Sequence, residues 1–168
     1  MKTKRYTVVV LLNKDGSKVL LQKKDRTAFV GKWNGVGGKI EDGEEPVAGA
    51  YREIEEETSL KPSDIKNLTW LGTLTLPEQC DLDNPDLYPE LWFFSGIVED
   101  ESLAVKPDTE TEEIAWFKIL DNKKLVSLPP KAPFNPDLAG DGDLPYFIDS
   151  AKRLLFGVVS RYDSEDEE

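Results

Sequence analysis

Residues 5–12, RYTVVVLL, are rich in β-branched side chains and predict a buried strand. Asn13-Lys14-Asp15-Gly16 is a turn signal, and Lys18 to Lys23 alternates enough to form the hairpin partner. A loop over Asp25 to Gly31 leads to WNGVGG, Trp33 to Gly38, whose short apolar content predicts a brief strand. From Pro46 to Thr58 the period changes: Val47, Ala50, Tyr51 and Ile54 fall at i, i+3, i+4 and i+7, one buried stripe of a helix. Pro62 closes that element. Leu68 to Leu76 alternates as LTWLGTLTL and predicts a strand, with Leu91 to Glu99, LWFFSGIVE, as its antiparallel partner. Between them PEQCDLDNPDLYPE is long and punctuated by proline, either a substrate lid or an insertion. Ile114 to Ile119 is the last predicted strand, preceded by the acidic run Asp108 to Glu113. A second irregular stretch leads into a helix from about Leu144 to Arg161, whose core face is Phe147, Ile148, Ala151, Leu154, Leu155 and Val158. Two helices with a mixed sheet between them is the simplest packing of this order, so the fold class is α/β. One domain is expected over residues 1–162, followed by a charged tail, 163–168, with nothing to bury.

Composition narrows the chemistry. At 168 residues and 39% hydrophobic, the chain can build a full core. Its net charge of −12 argues against a surface that neutralises duplex nucleic acid, yet allows nucleotides, whose phosphates a metal ion can offset locally. The single cysteine, Cys80, cannot form an intrachain disulfide and fits a reducing compartment. With no histidine there is neither a Ser-His-Asp triad nor a His-ligated zinc site, so acid-base work falls to carboxylates, Lys, Tyr or water. The apolar run Val8 to Leu12 is too short for a signal-peptide core or a membrane span, and a cytoplasmic protein is expected, monomer or homodimer. Trp33, Trp70, Trp92 and Trp116 sit in or beside strand patterns, and core packing is the default reading for most of them.

The stretch Gly38 to Leu60, GKIEDGEEPVAGAYREIEEETSL, stands apart. Glu53, Glu56 and Glu57 repeat helical spacing on a face other than the apolar stripe, which brings three carboxylates within about 6 Å of one another. An ordinary solvated face would interleave Lys or Arg at i+4, whereas here Arg52 is the one counter-charge beside Glu55, Glu56 and Glu57. A hard divalent cation, Mg2+ or Mn2+, would offset the repulsion and bridge to substrate phosphates. From the residues alone the face is either a solvated acidic surface or a cation site. Gly35, Gly37, Gly38 and Gly43 allow the preceding loop to bring backbone carbonyls near the same point.

The order of these residues resembles the Nudix hydrolases, whose box is G-x5-E-x7-R-E-U-x-E-E-x-G-U, with U a bulky aliphatic. Gly38, Glu44, Arg52, Glu53, Ile54, Glu56, Glu57 and Leu60 match it. Ser59 stands where the box has its last glycine, a helix-end position favouring positive φ, so a serine there costs about 1 kcal/mol. The resemblance implies a Nudix-type α/β/α sandwich with a mixed sheet between the box helix and a C-terminal helix. It implies that Glu53, Glu56 and Glu57 bind metal or activate water, and that Arg52 orients a glutamate. It also implies that a carbonyl at Gly37 or Gly38 completes the coordination of Mg2+, or of Mn2+ in its place, and that a further glutamate comes from the loop before the last strand, Glu110 first, with Glu112 and Glu113 beside it.

RYTVVVLL, KVLLQKK and GKWNGVGGKIEDGE further resemble the MutT-like branch that hydrolyses oxidised purine nucleoside triphosphates, 8-oxo-dGTP and 2-hydroxy-dATP among them. That likeness implies a base contact at Asn34, a pocket floor at Thr7, and substrate-binding roles for Lys23 and Lys39. Asparagine offers both donor and acceptor to a purine edge, although beside glycine it is equally a turn residue. The branch also reads the base with an acidic pair, for which Asp141 and Asp143 are the candidates; Asp143 before Leu144-Pro145 is equally a helix N-cap. The expected reaction is Mg2+-dependent hydrolysis of such a nucleotide to monophosphate and pyrophosphate. The alternatives are another nucleoside diphosphate linked to a group X, and a nucleotide-binding module without turnover.

Overall fold

The computed structural model describes residues 2–23, 32–76, 84, 86–108, 112–120, 125–127 and 143–157. Among the described residues seven strands form one mixed sheet: β1 (Lys2–Asn13), β2 (Lys18–Lys23), β3 (Trp33–Gly35), β4 (Ile65–Thr75), β5 (Leu87–Val98), β6 (Glu113–Ile119) and β7 (Leu125–Ser127). Their order across the sheet is β4-β5-β1-β2-β6-β7, with β3 attached to β2. Helix α1 (Pro46–Thr58) covers one face and α2 (Asp143–Phe156) the other, the α/β/α sandwich with a mixed sheet expected from the sequence.

β1 is central because its apolar run serves both faces. Val8, Val10 and Leu12 pack with Leu144, Phe147, Ile148 and Ala151 of α2, whereas Val9 and Leu11 pack with Ala50 and Ile54 of α1. This is the alternation of a strand buried on both sides. On the α2 face Phe93 and Phe147 stack with ring centroids 3.6 Å apart, and Trp33 meets Phe117 edge-on at 4.9 Å. β1 pairs in parallel with β5 along its whole length, from Lys2 with Leu87 to Asn13 with Val98.

Its other edge is what prepares the site. β1 pairs with β2 only at Leu11 with Leu20 and Leu12 with Val19, after which the two strands part. The chain from Trp33 onward fills the fork. It runs first along β2 as β3, then crosses to β1, where Val9 and Val36 exchange backbone bonds, Gly38 accepts from the Thr7 amide at 2.8 Å, and Ile40 donates to Arg5 at 2.9 Å. Glycine is needed at the crossing: a Cβ on Gly37, whose φ is +147°, would lie 2.2 Å from the Thr7 carbonyl oxygen.

Several elements depart from the sequence reading. β1 begins at Lys2 and β5 at Leu87, because ladder bonds are made by backbone and extend past the apolar runs. β7 follows β6, so Ile114 to Ile119 is not the last strand. The predicted strand over Trp33 to Gly38 is continuous only to Gly35, then reduced to single bridges at Val36 and Lys39. Val47 and Leu154, read as core, are 43% and 55% exposed, and Trp70, at 56%, stands apart from the core packing expected of most of the tryptophans. The two aliphatic residues lie at the margins of their helical stripes, and Trp70 is on the edge strand β4 against Trp92. α2 ends at Phe156, and the proposed tail lies outside the described residues, as does Cys80.

Phe147→Ala removes the ring stacked on Phe93 from a site that is 7% exposed. The expected loss is about 3 kcal/mol, to be read from urea unfolding.

Candidate active site

α1 begins without a side-chain cap at Glu45, with Pro46 pre-set for the first turn, and its buried side is Gly49, Ala50, Ile54, Glu57 and Thr58. Anchored by Ala50 and Ile54, the helix turns Arg52, Glu53 and Glu57 toward residues 36–44, the segment lying in the β1–β2 fork.

Arg52 is the hub of this side. Its Nε and Nη2 bind Glu44 at 2.8 and 2.9 Å as a two-pronged fork, Nη1 donates to Glu53 Oε1 at 2.8 Å and Glu56 Oε2 at 3.2 Å, and Nη2 also reaches the Lys39 carbonyl at 2.9 Å. A guanidinium has five N–H donors, and five acceptors meet it here. Glycine makes the room: a Cβ on Gly49 would lie 2.8 Å from Glu44 Oε1, and one on Gly38 would lie 2.6 Å from Glu53 Oε2. Glu44 Oε1 also accepts from the Glu41 amide at 3.1 Å. Its hydrogen bonds to Arg52, ahead of all other causes, pull the Glu44 carboxyl from its ordinary 4.5 to about 2. The same bonds, with burial opposing them, raise the Arg52 guanidinium further above its usual range.

Glu57 is only 7% exposed and accepts from the Gly37 amide at 3.0 Å, while Glu56, 54% exposed in its side chain, reaches toward water. The three carboxylates are thus divided between Arg52, which binds Glu53 and Glu56, and the Gly37 amide, which binds Glu57. Among the described residues no three acidic side chains close into a ready cation cage. The sequence reading had them converging; mutual repulsion is relieved here by Arg52 and by the Gly37 amide. The set still fits a hard divalent cation in kind: oxygen donors, one of them solvent-facing, on a single helix flank beside a glycine segment.

The other candidates fall into place unevenly. Thr7 is buried, and its hydroxyl lies 3.3 Å from the Gly38 amide and 3.4 Å from the Gly38 carbonyl, so it braces the glycine segment. The Gly38 carbonyl is engaged by the Thr7 amide. Asn34, half-buried on β3, accepts from the Gly35 amide through Oδ1 at 2.8 Å, the local bond of the turn reading. Lys39 is exposed, and Lys23, at the end of β2, pairs with Trp33 and Glu113. Glu110 and Asp141 lie outside the described residues. Asp143 is the first residue of α2, and its side chain is likewise outside them. Reasoning from sequence left Glu44 without a role; its signal was its place in the box, and its partner is eight residues on, across the helix start, where helical spacing does not reach. Arg5, which donates to the Glu44 carbonyl at 3.2 Å, carried no signal at all.

The NUDIX domain family profile matches residues 2–138. The chain belongs to the Nudix family. Curated relatives include the oxidized purine nucleoside triphosphate hydrolase of Mus musculus, 46% identical over 61 residues, and that of Danio rerio, 43% identical over 60. Each match spans 36% of this chain and 38% of the relative, so the likeness covers under two-fifths of those proteins. Among solved structures, a MutT/nudix family protein from Enterococcus faecalis superposes with a TM-score of 0.66 at 20% identity, covering 93% of this chain and 63% of that one. The NUDIX domain of Shewanella oneidensis NrtR, complexed with ADP ribose, gives 0.64 at 19%, covering 92% and 90%. At such identities these structures establish the Nudix fold of the chain.

Glu44 ties the Nudix helix to its preceding loop by charge, which sets a pH dependence. Its folded pKa lies below its unfolded value, so the stabilisation is complete above about pH 4.5 and lost as pH falls toward about 2. Glu44→Gln should cost about 2 kcal/mol at pH 7. In urea titrations at stepped pH, the gap between variant and native protein should close between those two values.

Proposed function

We propose that this Nudix protein is a hydrolase that cleaves modified purine nucleoside triphosphates, such as 8-oxo-dGTP, to the monophosphate and pyrophosphate. The observation that carries the reading is the acidic flank of α1: Glu53, Glu56 and Glu57 held by Arg52 and Gly37 beside a glycine segment braced on β1. The names of the curated relatives support the substrate class.

In this reading Glu53, Glu56 and Glu57 hold Mg2+, with Mn2+ able to replace it, and Gly37 or Gly38 and an acidic residue of the 110–113 run complete the set. The cation supplies charge neutralisation on the phosphoryl oxygens and a more acidic water. Arg52 orients Glu53 through their ion pair. Glu56, the most solvent-facing of the three, is the group best placed to take a proton from the attacking water. Water adds to phosphorus, the anhydride link between the α and β phosphorus atoms breaks, and pyrophosphate leaves. Base selection falls to Asn34, whose amide donors remain for a purine edge once Oδ1 is bound to Gly35, with Asp141 and Asp143 as its acidic partners. Lys23 and Lys39 would meet the phosphates. A second reading, a nucleoside diphosphate linked to another group, is favoured by the ADP ribose bound to the NrtR domain of like fold.

A panel of 8-oxo-dGTP, 2-hydroxy-dATP, dGTP, ADP-ribose and a nucleotide sugar, incubated with the protein and Mg2+ and followed by chromatography, decides between them. Monophosphate and pyrophosphate should appear from an oxidised purine, vanish with chelator, return with Mg2+, and fall about a hundredfold or more in Glu56→Gln. Turnover of ADP-ribose or the sugar alone would establish the second reading.

A further inference from the structure

Ser59, the one residue that breaks the box, ends α1 in the left-handed conformation, with φ 64° and its amide bonded to the Glu55 carbonyl at 3.0 Å. Glycine would adopt that conformation without strain, so serine must be offset by something that glycine lacks. The structure shows what that is. The Ser59 hydroxyl donates to the Val105 carbonyl at 2.8 Å, and the Val105 amide donates to the Thr58 carbonyl at 2.8 Å. Val105 is gripped through both its amide and its carbonyl, by Thr58 at the end of the helix and by Ser59 at its cap.

The gripped segment is itself anchored. Asp100 caps the short turn Glu101–Leu103 through the Ser102 amide, and Ala104 packs into the α1-side core. Glu101 accepts from Lys18 at 2.8 Å and Asn13 at 2.9 Å, and its carbonyl accepts from Trp116 at 3.3 Å. Residues 100–105 therefore form a strap fixed to the β1–β2 hairpin and β6 at one end and to the C-terminus of α1 at the other.

Helix ends fray, and the last turn of α1 carries Glu56 and Glu57. We infer that Ser59 is a positioning residue: its hydroxyl clamps the last turn of α1 to the strap and thereby holds Glu56 and Glu57 in register with the glycine segment for cation binding. The cation part of this inference rests on the reading proposed above; the clamp does not.

Ser59→Ala keeps the strained conformation and loses the hydroxyl, whereas Ser59→Gly loses the hydroxyl and relieves the strain, so comparing them separates clamping from helix stopping. Amide exchange of residues 55–59 in the full chain, without metal, should quicken about fivefold in both variants, although only Ser59→Ala lowers the urea midpoint appreciably. Mn2+ titrated by calorimetry without substrate should bind about threefold to tenfold more weakly to both. Unchanged exchange in Ser59→Gly would overturn the clamp. Wild-type Mn2+ affinity in both variants, with faster exchange, would overturn its role in cation binding. No Mn2+ binding by the native protein would sink the metal reading of the site, while the exchange data still decided the clamp.

Discussion

The five-donor grip of Arg52 is the constraint on which the rest of the acidic flank depends. Three carboxylates on one side of a short helix repel, and the helix tolerates them because a single planar cation meets Glu44, Glu53 and Glu56 and still has a donor for the Lys39 carbonyl. A lysine could neutralise charge there but lacks the flat, forked geometry that binds Glu44 through two nitrogens. Glu44 in turn is fixed by the Glu41 amide and by the absence of a side chain at Gly49, so the loop before α1 and the first turns of α1 are joined through one ion pair.

The second constraint is the parting of β1 and β2. A regular hairpin would close the sheet edge and leave no place for the chain from Val36 to Ile40. Because the pairing stops after two residue pairs, that chain lies flush on β1, held by Thr7 and Val9, and offers its Gly37 amide to Glu57. The glycines serve approach as much as flexibility: Gly37 nears the β1 backbone and Gly38 nears Glu53 more closely than any Cβ permits.

Much of this was legible in the sequence. The β1 run, the β2 partner, the 46–58 helix and the antiparallel pairing of β4 with β5 follow from period and turn chemistry, because each is specified by side chains that must be buried or turned. What escaped depends on backbone or on neighbours distant in the chain. The polar start of β1 is a strand because β5 lies beside it, and β7 is three residues long, too short to show a period. Helical spacing placed the glutamates on one face but could not show that Glu57 turns inward to Gly37 while Glu56 turns outward. Nor could it show that Ser59 has a partner at Val105, forty-six positions away.

The parallel pairing of β1 with β5 also has a consequence for synthesis. The flank of α1, the glycine segment and the Arg52 grip are built from residues 5 to 57, and so leave the ribosome before β5 and close to one another in sequence. β1, the most apolar strand, has to wait for Leu87–Val98 before its other edge is covered. A nascent chain that has not yet reached the end of β5 therefore carries the contacts of its chemistry beside an open, sticky strand edge. Between the emergence of residue 58 and that of residue 98, the open edge of β1 is the surface through which the unfinished chain is most exposed to wrong pairing.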